Sequence, residues 1–333
     1  MKNKIILTGI KPTGQPHLGN YLGAIEPAIK RADEYQDSFF FLADYHALNS
    51  ITDPSELKTL THKIAATWLA SGLDIKKSHF YKQSDIKETF ELETILNATV
   101  PKGWMNKAHA YKASVDANRA NKKDDDEDIN MGLYTYPILM ASDILIFNAN
   151  IVPVGKDQIQ HVEIARDIAG RFNAKYKTSV LTLPEHVIET GIGEIPGIDG
   201  RKMSKSYNNI IPLFAPIEQW HKAVKKIVTD SNDNHTLETI KATVFYRIFS
   251  SIASSEQSDK IASDLVGKKI GWKESKDQLL DIIIKRFGSM TENYDNLMKD
   301  TDAIDKLLDD GSKAIQSLSV ETIMKVRKAI GII

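Results

Sequence analysis

Ile5-Ile6-Leu7-Thr8-Gly9-Ile10-Lys11-Pro12-Thr13-Gly14-Gln15-Pro16-His17-Leu18-Gly19-Asn20 sets an apolar run, a glycine-bearing turn and a helical pattern end to end. The run 5–7 reads as a short buried strand, and a helical pattern follows from about Asn20. Strand, turn and helix in that order form the opening unit of a parallel sheet wrapped by helices. At such a turn the unpaired N–H groups and positive dipole end of the helix favour phosphate, and glycine lets a nucleotide lie close to the backbone. His17 adds a side chain able to donate to a phosphate oxygen. The spacing is neither G-x-G-x-x-G nor a Walker loop, which sets those nucleotide families aside. Taken alone, the segment is equally consistent with a plain tight turn.

The alternation continues. The segments 38–42, 79–81 and 180–183 also read as short buried strands, with helical patterns at 20–35, 54–71, 87–98, 137–147 and 158–173. The expected fold class is therefore α/β, with ligands held at the carboxyl ends of the strands where the topology reverses. The segment 121–130 (NKKDDDEDIN) is strongly acidic and reads as a solvated, disordered loop. The segment 190–211 carries Gly191, Gly193, Gly197 and Gly200, so a permissive backbone is expected there. After Pro212 and Pro216 strand patterns vanish, and helices are expected at 217–228, 237–252, 256–268, 273–287, 291–308 and 310–330. Gly271, Gly288 and Gly311 stand where those helices would stop. The boundary falls near 212–216.

Bulk composition narrows the classes. The chain has 333 residues, 42% hydrophobic and 26% charged, which suits a globular protein of one large and one smaller domain. With a net charge of −1, no global positive field draws in nucleic acid, so RNA contact would need a local basic patch. The absence of cysteine excludes disulfides and thiolate metal sites. The amino-terminal apolar run is too short for a signal peptide, and no stretch approaches the roughly 18 apolar residues of a membrane span; a cytoplasmic location is expected.

Three further segments carry chemistry. Lys202-Met203-Ser204-Lys205-Ser206 places two lysines three apart with hydroxyls between them, on a glycine-flanked loop. Mobile ammonium groups of this kind stabilise charge that builds transiently when the α-phosphate of ATP is attacked. In an arbitrary protein the same five residues would be a solvated basic loop; their place after an α/β half and before a helical half favours the chemical reading. In Tyr136-Pro137-Ile138-Leu139-Met140-Ala141-Ser142-Asp143-Ile144-Leu145, Pro137 suits the first turn of a helix. At helical spacing Tyr136, Met140, Asp143 and Phe147 share a face. A carboxylate in that apolar stripe needs a donor, either an internal partner or a group on an aromatic substrate. Finally, Val152-Pro153-Val154-Gly155-Lys156-Asp157-Gln158 ends an apolar stretch at a glycine before a helix. Gly155 could pass under a ribose while Asp157 or Gln158 hydrogen-bonds it; an ordinary Asp cap explains the same residues.

The first loop and the 202–206 loop, in this order and about 180 residues apart, resemble the paired nucleotide-binding motifs of class I aminoacyl-tRNA synthetases. With the segments 134–172 and Ala43-Asp44-Tyr45-His46-Ala47-Leu48-Asn49 added, the chain is similar to the bacterial-type tryptophanyl-tRNA synthetases over nearly its whole length. The stretch around Asp143 separates that family from its tyrosyl sister. The resemblance implies a Rossmann-like catalytic domain over 1–212, with a helical connective insert at about 84–133, and a helical anticodon-binding region over 213–333. It implies ATP, L-tryptophan and tRNA(Trp) as substrates, Mg²⁺ carried on the ATP phosphates, no protein cage for a metal, and a homodimer. It assigns Lys202 and Lys205 to transition-state charge, and His17 and Asn20 to phosphate. ATP contacts would come from Lys11, Pro12, Thr13, Gly19, Asn20, Lys112, Gly155, Lys156, Asp157, Ile195, Lys202, Met203, Ser204, Lys205 and Ser206. Asp143 would accept from the indole N–H, with Tyr136, Met140, His46, Val154 and Gln158 completing the tryptophan pocket. Lys11 stands where most members carry Gln, and Asn20 replaces the second His of the general class I motif. Two alternatives stay open at this point: a tyrosyl-type synthetase or small adenylyltransferase, and a catalytically idle paralogue that senses tryptophan or binds RNA.

Overall fold

The computed structural model describes residues 4–14, 16–35, 37–188, 195–230 and 234–333, without the side chain of Asp157. Gln15, Gly191 and Gly193 therefore lie outside the described residues. Five parallel strands form one sheet: β1 (Ile5–Ile10), β2 (Asp37–Leu42), β3 (Ser78–Lys82), β4 (Ile151–Val154) and β5 (Glu185–Ile188). Their order is β3-β2-β1-β4-β5. The chain thus winds outward from β1 to one edge, then returns to β1 and winds to the other. The carboxyl ends of β1 and β4 flank the reversal, where a crevice must open. Asn150 ties the two halves together, accepting from the Ile5 N–H at 2.8 Å and donating its own backbone N–H to the Ile5 carbonyl at 2.9 Å.

Both sheet faces are covered, as parallel strands require. On one face Leu7, Phe39, Phe41, Tyr81 and Val152 pack with Phe147, Ile138, Leu92 and Phe172 from the flanking helices. On the other, Phe40, Leu42 and Phe80 pack with Trp68, Leu18, Leu22 and Ile64. That second cluster runs without a break into Trp220, Phe245, Phe249 and Phe287 of the carboxyl-terminal helices. Burial of each such side chain contributes about 1.5–3 kcal/mol, so the helical half is held to the sheet by a shared core. Among the described residues, no helix is long and apolar enough to cross a membrane.

Several expected boundaries shift for identifiable reasons. The segment 180–183 is no strand: Asn173 brackets Leu181, and Asn148 accepts from the Thr182 N–H at 2.7 Å. The edge strand is Glu185–Ile188, paired with Ile151–Val154, a run too short and proline-bearing to read as a strand from sequence. The helix expected from Pro137 begins at Met131, because the Asn130 side chain accepts from the Leu133 N–H at 2.8 Å; Pro137 lies inside it. Thr243 divides the expected helix 237–252, its side chain capping the second piece. Gly288 and Gly311 do not end helices: Trp272–Lys299 and Thr301–Ile330 run through them and break only at Asp300. At Gly311 the helix crosses β3 so closely that a Cβ would run into the Phe80 carbonyl oxygen. The acidic segment is a knit loop: Arg119 grips Asp125 at 2.7 and 2.6 Å, Asn118 donates to two loop carbonyls, and Tyr111 donates to Asp126.

Candidate active site

The turn after β1 is built by its own residues. Gly14 takes a φ of 69°, a conformation that favours glycine. His17 then caps the helix: its Nδ1 accepts from the Asn20 N–H at 3.3 Å, and Asn20 Oδ1 accepts from the His17 N–H at 3.1 Å. Burial, and then the Lys205 ammonium nearby, depress the His17 pKa from 6.5 to about 4. The imidazole is therefore neutral. With Nδ1 used as an acceptor, its one proton sits on Nε2 as a donor.

The second loop closes on this turn. The Leu18 N–H donates to the Ile211 carbonyl at 2.9 Å, and His17 bridges Pro212 in antiparallel fashion. Met203, buried, brings its sulfur within 3.5 Å of where a Cβ on Gly19 would stand. A Cβ on Gly14 would meet the Lys205 ammonium. Lys205 has its pKa lowered by partial burial and by Lys63. Loop 202–206 is itself pinned by Asn209, which accepts from the Ser204 N–H at 2.8 Å and donates to Asp199 and to the Lys202 carbonyl at 2.7 and 3.0 Å.

Between the turn and the helix Met131–Ile146 lies a cavity of about 760 Å³ at the carboxyl ends of β1 and β4. Of the residues expected at a site, it brings together Lys11, Thr13, Asn20, His46, Tyr136, Met140, Val154, Gly155 and Gln158 on its walls. Lys11 has its pKa lowered by desolvation. Pro12, His17, Gly19 and Ile195 belong to the surrounding packing, and Lys202, Met203, Ser204, Lys205 and Ser206 to the loop over the turn. Lys112 and Lys156 are exposed off the wall. The Asp157 side chain lies outside the described residues.

Asp143 is placed one layer behind the wall and is buried. His46 Nε2 lies 3.0 Å from its Oδ2, and Gln83 Nε2 donates to both oxygens at 2.9 Å. Burial pushes its pKa up, and the hydrogen bonds from His46 and Gln83 pull it back. Gln83 is itself fixed by the Tyr45 N–H, donated to its Oε1 at 3.1 Å. A carboxylate offers about four acceptor directions, so these contacts leave room for about one further donor.

Three residues that hold the candidate site together escape the sequence reading. Gln83 carries no motif, although it directly follows β3, at the strand end where such sheets present ligand groups. His161 lies three residues beyond Gln158 and joins it to Tyr136. Asn209 has no sequence signal, since its role is a contact within a folded loop.

A family model described as tRNA synthetases class I (W and Y) matches residues 1–288. The chain belongs to the class I tRNA synthetases (W and Y). Among relatives in this synthetase family, a tryptophan–tRNA ligase of Pseudomonas aeruginosa is 46% identical over 332 residues, 98% of this chain and 73% of the relative. One of Xanthomonas axonopodis is 44% identical over 329 residues, 98% of this chain and 76% of the relative. The chain thus spans about three quarters of the length of these curated relatives. Among solved synthetases, the tryptophanyl-tRNA synthetase of Campylobacter jejuni complexed with ADP and tryptophan is 35% identical. It superposes with a TM-score of 0.88 over 98% of this chain and 99% of that one. The Mycoplasma pneumoniae synthetase is 27% identical, with a TM-score of 0.79 over 99% of this chain and 98% of that one. The α/β class with a helical carboxyl-terminal half is the synthetase family's fold.

Proposed function

We infer that this chain is an ATP-dependent tryptophan–tRNA ligase. The observation that carries this reading is the closure of loop 202–206 onto the His17 turn at the mouth of a cavity walled by Tyr136, Met140 and His46. The relatives at 44–46% identity, all tryptophan–tRNA ligases by name, support the choice of amino acid.

Two steps follow. The tryptophan carboxylate attacks the α-phosphorus of ATP in line, giving tryptophanyl-adenylate and pyrophosphate; the 2′-hydroxyl of the tRNA terminal adenosine then takes the acyl group. The substrate is its own nucleophile, so the protein contributes position and charge. Lys202 and Lys205 neutralise the charge on the α-phosphorus and the departing pyrophosphate. His17, through Nε2–H, and Asn20 donate to phosphate oxygens, with Lys11, Pro12, Thr13, Gly19, Lys112, Met203, Ser204 and Ser206 completing the phosphate side. Gly155, Lys156, Asp157 and Ile195 hold the adenosine. Tyr136, Met140, His46, Val154 and Gln158 shape the tryptophan pocket, and the remaining acceptor direction of Asp143 is reserved for the indole N–H. Mg²⁺ rides on the triphosphate. Residues 213–333, with the basic stretches near Lys222 and Lys268, serve as the anticodon-reading region, and 84–133 as the connective insert of a catalytic domain spanning 1–212. The enzyme works as a cytoplasmic homodimer.

ATP–pyrophosphate exchange measured with each of the twenty standard amino acids, followed by charging of tRNA(Trp), tests this reading. Exchange is expected with tryptophan and at trace level with tyrosine. Exchange with tyrosine above tryptophan, or with none, would overturn it.

A further inference from the structure

A second cavity, of about 360 Å³, lies between the helices Ile217–Lys225 and Trp272–Lys299 and shares no lining residue with the first. Its apolar end is made by Ile217, Trp220, Ile284 and Gly288. Ile217 is exposed, and open space stands where a Cβ on Gly288 would begin, so an apolar side chain can seat there. Glu292, Asp295 and Lys299 follow along the same helix as the rim. Both carboxylates are exposed, and among the described residues neither has an ion-pair partner. Lys299 turns instead to Asn296, donating to its Oδ1 at 3.1 Å. From Ile284 to Lys299 the lining runs about 22 Å along the helix, at roughly 1.5 Å per residue.

A compact ligand covers only part of such a length, whereas an extended segment of about seven residues runs along all of it. RNA is the wrong occupant, because its phosphates would meet two unpaired carboxylates. A positive segment carrying an apolar side chain answers both features of the groove. We propose that this groove docks a basic peptide segment of a partner protein, with one apolar residue seated at Gly288 and two lysines or arginines at Glu292 and Asp295. Helix rise sets the spacing. Glu292 lies about 6 Å beyond Gly288, Asp295 about 10 Å and Lys299 about 16 Å. An extended chain advances about 3.3 Å per residue, so bases two and three positions after the anchor meet the carboxylates. An acidic residue five positions after the anchor meets Lys299. The groove lies in the helical half to which we assign anticodon reading, and its carboxylates set this face apart from that role.

The test uses the purified full chain and a fluorescein-labelled peptide, Gly-Ser-Leu-Ser-Lys-Lys-Ser-Glu-Gly, followed by fluorescence anisotropy at low salt. Neither ATP nor tryptophan is added, so the result stands apart from the activity assignment. Binding is expected with a Kd of about 10–100 µM, the range of a short segment that must be ordered on docking. Gly288→Leu fills the apolar end, and Glu292→Lys with Asp295→Lys reverses the rim. Each change should weaken binding about 10-fold or more. A second peptide, with Glu in place of both lysines, should ignore the native chain and bind the reversed-rim variant, which also shows that variant to be folded. No binding of the lysine peptide at about 1 mM, or equal binding by the native chain and both variants, would overturn the proposal. Two further results would overturn it by naming another occupant. A raised KM for tRNA in Gly288→Leu, with ATP–pyrophosphate exchange unchanged, would give the groove to RNA. A changed oligomeric state of that variant in sedimentation would give it to a second copy of the chain.

Discussion

Lys205 stands over Gly14: its ammonium occupies the place where a side chain at that glycine would begin. Two loops far apart in sequence thus close on one point above the reversal of the sheet. A lysine held there can meet a triphosphate lying on the turn without a large rearrangement.

Lys205→Ala should lower kcat for adenylate formation by about 10²–10³, the scale of losing one donor aimed at developing charge. KM for ATP should change little. A rise in KM alone, with kcat kept, would make Lys205 a uniform binder of nucleotide.

His17 gives a pH dependence. Its folded pKa of about 4 lies below the ordinary 6.5, so the unfolded chain takes up a proton that the folded one refuses. Its contribution is therefore fully present above pH 6.5 and is lost as the pH falls toward 4. His17→Gln should flatten the stability slope in that window. Lys205→Ala should raise the His17 pKa, because its ammonium is the second cause of the depression. Denaturant titrations from pH 7 to 4 and a histidine NMR titration report these two effects; an unchanged slope in His17→Gln would remove the assignment.

Asp143→Ala should reduce kcat/KM for tryptophan by about 10² or more, since a site built on a buried acceptor discriminates strongly. Stability should also fall, by about 1–3 kcal/mol for each donor left unpaired at His46 and Gln83. Exchange kinetics and denaturant unfolding separate the two. Wild-type exchange in this variant would confine Asp143 to a structural role.

Gly311→Ala should destabilise the chain by about 1–3 kcal/mol, because the helix must lift from the Phe80 carbonyl to admit a methyl group. Gly288→Ala, with open space around its Cα, should be neutral or slightly stabilising, reflecting the better helix propensity of alanine. Equal Tm values for the two variants would contradict the close crossing.

Elements with a local cause were legible. The strand, glycine turn and helix at 5–20 follow from hydrophobic period and turn chemistry; the reciprocal cap by His17 and Asn20 does not, because His is not among the usual capping residues. Gly288 and Gly311 misled, because a glycine in sequence signals a helix end while its use here depends on what packs beside it. The strand Glu185–Ile188 was misplaced to 180–183 because pairing with Ile151–Val154, not its own pattern, makes it a strand.

The motif residues, their order and the helical period that sets Tyr136, Met140 and Asp143 on one face were determined by the sequence itself, since each depends on neighbours within a few turns. Tertiary structure alone decided that Gln83, 60 residues away, and His46, 97 residues away, would hold Asp143, and that His161 would join Gln158 to Tyr136. The reason is geometric. A hydrogen bond needs its two groups within about 3 Å, and for groups far apart along the chain that distance is fixed by the packing of whole elements on the sheet.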